Sequence, residues 1–256
     1  MISAKEYDKD RFDRSKRIEW IDIRKIRSSR CLVVGAGALG NEVVKCLVLS
    51  GFRKITIVDM DDIVLSNLNR CVFFRECDIK NGMKADILAM RASELDRDAE
   101  ITPRSMKIQD FNDWNGFDII MGCMDNISAR LHVNAHAYHH GIPYVDGGTD
   151  GMSGKVQAVI PGGPCLQCAM NRSHYKIAET RFSCTGKESA FYVPKMAAEI
   201  TTTSVIAAMQ VREAVKIASG REDMCIKDVA YYDGISGETF VLKVKKDDSC
   251  QNHAEE

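Results

Sequence analysis

The chain has 256 residues, 45% of them hydrophobic, which suffices for one large core, and its formal net charge of −1 leaves no basic footprint for nucleic acid or an anionic membrane. Met1 opens a charged stretch and no apolar run approaches the roughly 20 residues needed to span a bilayer, so a soluble, cytoplasmic, single-domain protein over 1–256 is expected. The ten cysteines are spread through a long α/β pattern and read as reduced thiols, not as a secreted disulfide framework.

The opening segment, 1–29, is helical, with an amphipathic pattern over 12–26. A short apolar strand, Arg30–Val34, then runs into Gly35-Ala36-Gly37-Ala38-Leu39-Gly40 and a helix over 41–50. This order is strand, phosphate loop and helix. Gly35 permits the tight turn, Gly37 lets a phosphate approach the backbone, and Gly40 lets helix and strand pack closely, while the helix N-terminus offers free N–H groups. The strand Lys54–Val58 delivers Asp59 about twenty residues later, where a carboxylate can accept from ribose hydroxyls.

A lone glycine fingerprint fits an ordinary dinucleotide oxidoreductase, and the residues that follow argue against one. Asn67 and Arg70 sit in Ser66-Asn67-Leu68-Asn69-Arg70, Lys84 in Gly82-Met83-Lys84-Ala85, and Asp125 after a strand over 117–121. Two cations, an amide and a carboxylate able to hold magnesium are what nucleotidyl transfer needs. From Asn126 a helix carries His132, His136, His139 and His140, for which a solvated or packed face is expected. Cys31, Cys46 and Cys123 fall in apolar elements and read as core.

After Val145 the pattern changes. Residues 154–160, 229–232 and 238–244 alternate like antiparallel strands around a long helix over 195–219. The fold class is therefore α/β, a Rossmann-like nucleotide-binding fold whose mixed, mainly parallel sheet is extended by antiparallel strands. Cys165-Leu166-Gln167-Cys168 could be a redox pair, a coincidence or half of a zinc site; with Cys250 and His253 in the tail 247–256, it offers three sulfurs and one imidazole to a tetrahedral ion. Cys184 lies in a polar segment, 171–190, between Arg181 and Lys187, a setting for a nucleophile as well as for an incidental loop cysteine.

Taken together, the glycine loop, Asp59 with Asn67 and Arg70, Lys84, Cys123-Met124-Asp125-Asn126 with Arg130, Asp146-Gly147-Gly148-Thr149-Asp150-Gly151, both cysteine steps and Cys184-Thr185 resemble the adenylation domain of the ubiquitin-like-protein activating enzymes and their bacterial sulfur-carrier relatives. The resemblance implies ATP, Mg2+ and Zn2+ as cofactors. It implies activation of the C-terminal carboxylate of a ubiquitin-like or sulfur-carrier protein ending in Gly-Gly, with Arg70 and Lys84 on phosphates and Asp125 on magnesium. It makes Cys184 the thioester acceptor, ahead of a conjugating enzyme. It also implies a homodimer in which Arg14, or Arg11, reaches the phosphates of the other subunit. This chain departs from the family with His253 in place of a usual cysteine and Cys71 in place of a usual glutamine. The alternatives are a sulfur-carrier adenylyltransferase of molybdopterin or thiamine type that stops at the acyl adenylate, a nucleotide-binding scaffold paired with another active subunit, and the oxidoreductase.

Overall fold

The computed structural model describes residues 9–170 and 197–253. Eight strands form one sheet in the order β3-β2-β1-β4-β5-β6-β7-β8. They are β1 Arg30–Val34, β2 Lys54–Val58, β3 Glu100–Arg104, β4 Ile119–Gly122, β5 Tyr144–Asp150, β6 Ser153–Val159, β7 Val229–Asp233 and β8 Glu238–Leu242. The first five are parallel to one another. From β5 to β8 every pairing is antiparallel, so the mixed sheet expected from the sequence is present.

Helices α2 (Ala38–Ser50) and α5 (Ile200–Ala218) cover one face, and α4 (Ile127–His139) covers the other. Alternation along β1 divides its side chains between the two layers: Cys31 and Val33 join the α2/α5 core, while Leu32 and Val34 join the α4 core. Because both faces are covered, β1 and β4 are near-continuous apolar runs. The edge strand β3 is half exposed and tolerates Pro103, whose missing N–H would break a central ladder.

The N-terminal segment differs from the expected single helix. It forms a 3-10 turn, Ser15–Arg17, and then α1, Ile23–Ser28, which starts afresh because the Asp22 carboxylate accepts the Arg24 and Lys25 N–H groups at 3.0 and 3.3 Å. Phe12, Ile23 and Ile26 are all buried in one core, so the apolar spacing is real, but Phe12 lies in a turn ahead of the 3-10 element and only Ile23 and Ile26 belong to α1. Helix α2 begins at Ala38, three residues before the expected start, with Gly37 as its N-cap. Helix α3 spans Lys84–Ala92. At α5 the Glu199 carboxylate accepts the Thr202 N–H at 3.0 Å and sets the start. No helix among the described residues is long and apolar enough to cross a membrane.

Candidate functional site

Strand order reverses direction at β1, whose neighbours β2 and β4 lead to opposite sheet edges, and the crevice beyond the carboxyl ends of β1 and β4 is where open α/β sheets bind ligands. The glycine loop opens into it. Gly35 has φ +102°, and a Cβ there would lie 2.5 Å from the Cys123 carbonyl oxygen; a Cβ on Gly40 would lie 2.0 Å from the Gly35 oxygen. A Cβ on Gly37 would meet nothing within 4 Å. Gly35 and Gly40 are thus required by packing, and Gly37 faces open space at the helix N-terminus.

Asp59 braces this loop. Its carboxylate accepts the Ala36 N–H at 2.6 Å and the Asp61 N–H at 2.8 Å, and burial pushes its pKa up despite those bonds. Each oxygen keeps a lone pair for a ribose hydroxyl. Asp59→Ala should therefore lower stability by about 1–3 kcal/mol through the stranded Ala36 N–H, and weaken nucleotide binding as the loop relaxes. Thermal melts paired with nucleotide titration check both effects; unchanged affinity would remove Asp59 from the site.

The other residues gather around it. Asn67 is buried and its side-chain oxygen accepts the Val64 N–H at 3.0 Å, closing the turn that carries Arg70. The Arg70 guanidinium donates to the Ser66 carbonyl and, at 3.0 Å, to the Asn69 side chain. Lys84 pairs with Asp61 at 2.8 Å, and its own N–H donates to the Asp61 carbonyl at 2.9 Å. Arg70, Lys84 and Asp59 all act on the buried Cys71 thiol, whose pKa burial raises to about 11, so the three charged groups share one locale. Across the crevice, the Cys123 N–H donates to the Val34 carbonyl at 2.8 Å, which sets exposed Asp125 two residues beyond the glycine loop's neighbour. Asn126 then caps α4 by accepting the Ala129 N–H at 2.7 Å.

A network with no role assignable from sequence holds the Asp125 loop. Arg130 donates to the Met124 carbonyl from Nε at 3.0 Å and from Nη2 at 2.6 Å, and pairs with buried Asp146 at 2.9 Å; the Tyr144 hydroxyl donates to the other Asp146 oxygen at 2.7 Å. Gln210 of α5 donates to the Gly122 and Val145 carbonyls at 2.9 and 3.1 Å. Three glycines make room: a Cβ on Gly122, Gly147 or Gly148 would lie 2.3 Å from Tyr144, 2.2 Å from Gln210 or 2.7 Å from Arg130. The signal in the sequence was the pair Gly147-Gly148 after Asp146, one strand away from Arg130.

Cys165, Cys168, Cys250 and His253 converge, with all four ligand atoms within 4.8 Å of one another. Cys165 Sγ is 3.8 Å from Cys168 Sγ and 3.7 Å from Cys250 Sγ, and Cys168 Sγ is 3.6 Å from His253 Nε2. A tetrahedral ion with bonds of about 2.3 Å to sulfur and about 2.0 Å to nitrogen demands S···S near 3.8 Å and S···N near 3.5 Å. The set fits zinc. His253 is oriented for this by its Nδ1, 2.9 Å from the Asp247 carbonyl, and by its ring against Tyr138. Burial opposes ionisation of Cys165, but hydrogen bonds from Asn252 and the Cys168 backbone bring its pKa down to about 7.

Other expectations resolve individually. Cys31 and Cys123 are buried and Cys46 is partly buried. His136 stacks on Trp114 at 4.5 Å and burial lowers the pKa values of His132 and His136, so this helix face is packed. Arg11 is tied to its own chain through Asp96 and the Leu95 carbonyl, and Arg14 is an exposed residue at the start of the first 3-10 turn. Cys184 and the segment 171–190 that carries it lie outside the described residues.

Comparison with known proteins agrees with this fold. The ThiF family model matches residues 14–252. The chain is 38% identical over 151 residues to a ubiquitin-activating enzyme E1-like protein of Saccharomyces cerevisiae, covering 57% of this chain and 23% of that protein. It is 39% identical over 157 residues to the NEDD8-activating enzyme E1 catalytic subunit of Arabidopsis thaliana, covering 55% of this chain and 34% of the relative. The fold matches Escherichia coli MccB solved with ATP, with a TM-score of 0.78 at 18% identity over 98% of this chain and 75% of that one. The two curated relatives are thus spanned over about a quarter to a third of their length. With the family model matching nearly the whole sequence and the phosphate loop built as described, the chain belongs to the ThiF family.

Proposed function

We propose that the protein activates the C-terminal carboxylate of a small ubiquitin-like protein by ATP-dependent adenylation. The observation that carries this reading is the glycine loop, open at Gly37 and braced by Asp59, with Lys84 and Arg70 in the same locale as Asp59. The carrier carboxylate, already a nucleophile at neutral pH, attacks the α-phosphorus of ATP, the bond to the β-phosphate oxygen breaks, and pyrophosphate leaves. No general base is required; the site has to align the reactants and offset phosphate charge. Lys84 exchanges its partner Asp61 for phosphate, Arg70 contacts phosphate from its turn, and Asn67 maintains that turn. Asp125 would hold magnesium, which supplies positive charge to the phosphates when bound. Arg14 of a second copy completes the site in a homodimer.

The second step uses Cys184. Its thiolate attacks the acyl carbon, the acyl–phosphate bond breaks, AMP leaves, and a thioester remains for a conjugating enzyme or a sulfur-transfer partner. Zinc held by Cys165, Cys168, Cys250 and His253 ties the C-terminal tail to the sheet and is structural. Deletion from Cys250 onward should remove about one zinc per chain and lower the melting temperature together. Full zinc content in the truncated protein would exclude the tail as a ligand source.

The reading is tested by incubating the purified protein with ATP and candidate ubiquitin-like proteins ending in Gly-Gly. Intact-mass analysis should find a carrier carrying one added AMP, and the same carrier lacking its terminal glycines should gain none. ATP binding with no adduct on any carrier would favour a non-catalytic scaffold.

A further inference from the structure

The middle of α4 holds a residue whose chemistry the packing alone does not explain. Asn134 is fully buried on the side of α4 that meets the knuckle Cys165–Cys168, in a layer otherwise built from apolar residues such as Val133 and Leu166. Its side-chain oxygen accepts the N–H of Leu166, the residue after Cys165, at 2.8 Å. Its Nδ2 is buried and has no hydrogen-bond partner of ordinary geometry among the described residues. A buried amide with one end engaged and the other idle is unfavourable unless a further acceptor is at hand. The bond to the Leu166 N–H brings this amide to the knuckle, where the preceding residue, Cys165, offers a fully buried sulfur as acceptor.

That sulfur already receives the Asn252 amide at 3.5 Å, and Asn252 in turn donates to the Gln167 side chain at 3.0 Å. Three thiolates and a neutral imidazole around a divalent ion leave one net negative charge in a buried place, and N–H donors to sulfur are the usual means of spreading it. Asn252 approaches from the tail. Asn134 approaches from the helix whose cap, Asn126, directly follows Asp125.

We propose that Asn134 is a positioning residue for the metal centre, gripping the Leu166 N–H with its oxygen and donating from Nδ2 to the metal-bound Cys165 sulfur, so that the knuckle is locked to α4. This rests on the zinc reading above. It makes α4 a rod with the nucleotide crevice at one end and the metal centre along its length.

The decisive experiment uses the wild-type protein with zinc exchanged for 113Cd. Scalar coupling between cadmium and the Asn134 side-chain N–H protons should be detected by NMR, as only a hydrogen bond to a metal-bound sulfur transmits it. Asn134→Leu should in addition lose zinc to a chelator at least about tenfold faster than wild type and shift the thiolate-to-cobalt charge-transfer band of the cobalt-substituted protein. Absence of the coupling overturns the proposal, as does a folded Asn134→Leu protein with wild-type zinc loss and an unchanged band. If that variant fails to fold, the cadmium coupling alone decides. A wild-type protein that takes up neither zinc, cobalt nor cadmium at these four ligands would instead overturn the zinc reading on which the proposal stands.

Discussion

Replacing Asp125 with alanine should reduce magnesium-dependent pyrophosphate exchange by about a hundredfold or more while leaving the melting temperature nearly unchanged. Electrostatic groups aimed at shifting phosphate charge commonly contribute that much to rate. The fold should tolerate the change because Asp125 is exposed and α4 is capped by Asn126, not by Asp125. The neighbouring Asp146 provides the contrast. Its carboxylate is buried against Arg130 and Tyr144, so Asp146→Ala would leave a nearly buried guanidinium without its partner and cost about 3–5 kcal/mol. Exchange assays beside thermal melts separate the two, with loss of activity alone for Asp125 and loss of both for Asp146. Substantial exchange by the Asp125 variant in magnesium would reject its role.

Cys184→Ala should eliminate any thiol-sensitive adduct between this chain and its carrier while adenylation continues, since phosphate site and nucleophile serve successive steps. The effect should be all or none on non-reducing gels and in intact-mass spectra repeated with reductant. An adduct that survives moves the acceptor elsewhere, with exposed Cys77 a better place to look than buried Cys71. A wild-type chain that accumulates acyl adenylate and no adduct with the correct carrier would replace the thioester step with the sulfur-carrier adenylyltransferase reading.

The parallel half of the sheet was legible because its strands are apolar runs closed by glycine or by a helix cap, as at Val34-Gly35 and at Asp125-Asn126. The antiparallel extension was legible for a different reason, alternation of residue type within 154–160. Strand β3 carries no such signal, since Glu100–Arg104 is half exposed and contains proline. The N-terminal segment misled because Phe12, Ile23 and Ile26 keep helical spacing across a break imposed by Asp22. In the site, spacing identified Cys165, Cys168, Cys250 and His253 as four side chains that converge. What could not be read was the division of labour. Asp59 spends two hydrogen bonds on the backbone, and Arg130 meets Asp146 through tertiary contact between α4 and β5.

Adenylation of a protein carboxylate is tested most directly by exchange of labelled pyrophosphate into ATP, measured with a purified ubiquitin-like carrier and with the same carrier lacking its C-terminal glycines. The account predicts exchange that depends on magnesium, on Lys84 and on the intact carrier terminus. Equal exchange with the truncated carrier, or none with any Gly-Gly carrier from the same source, would contradict it.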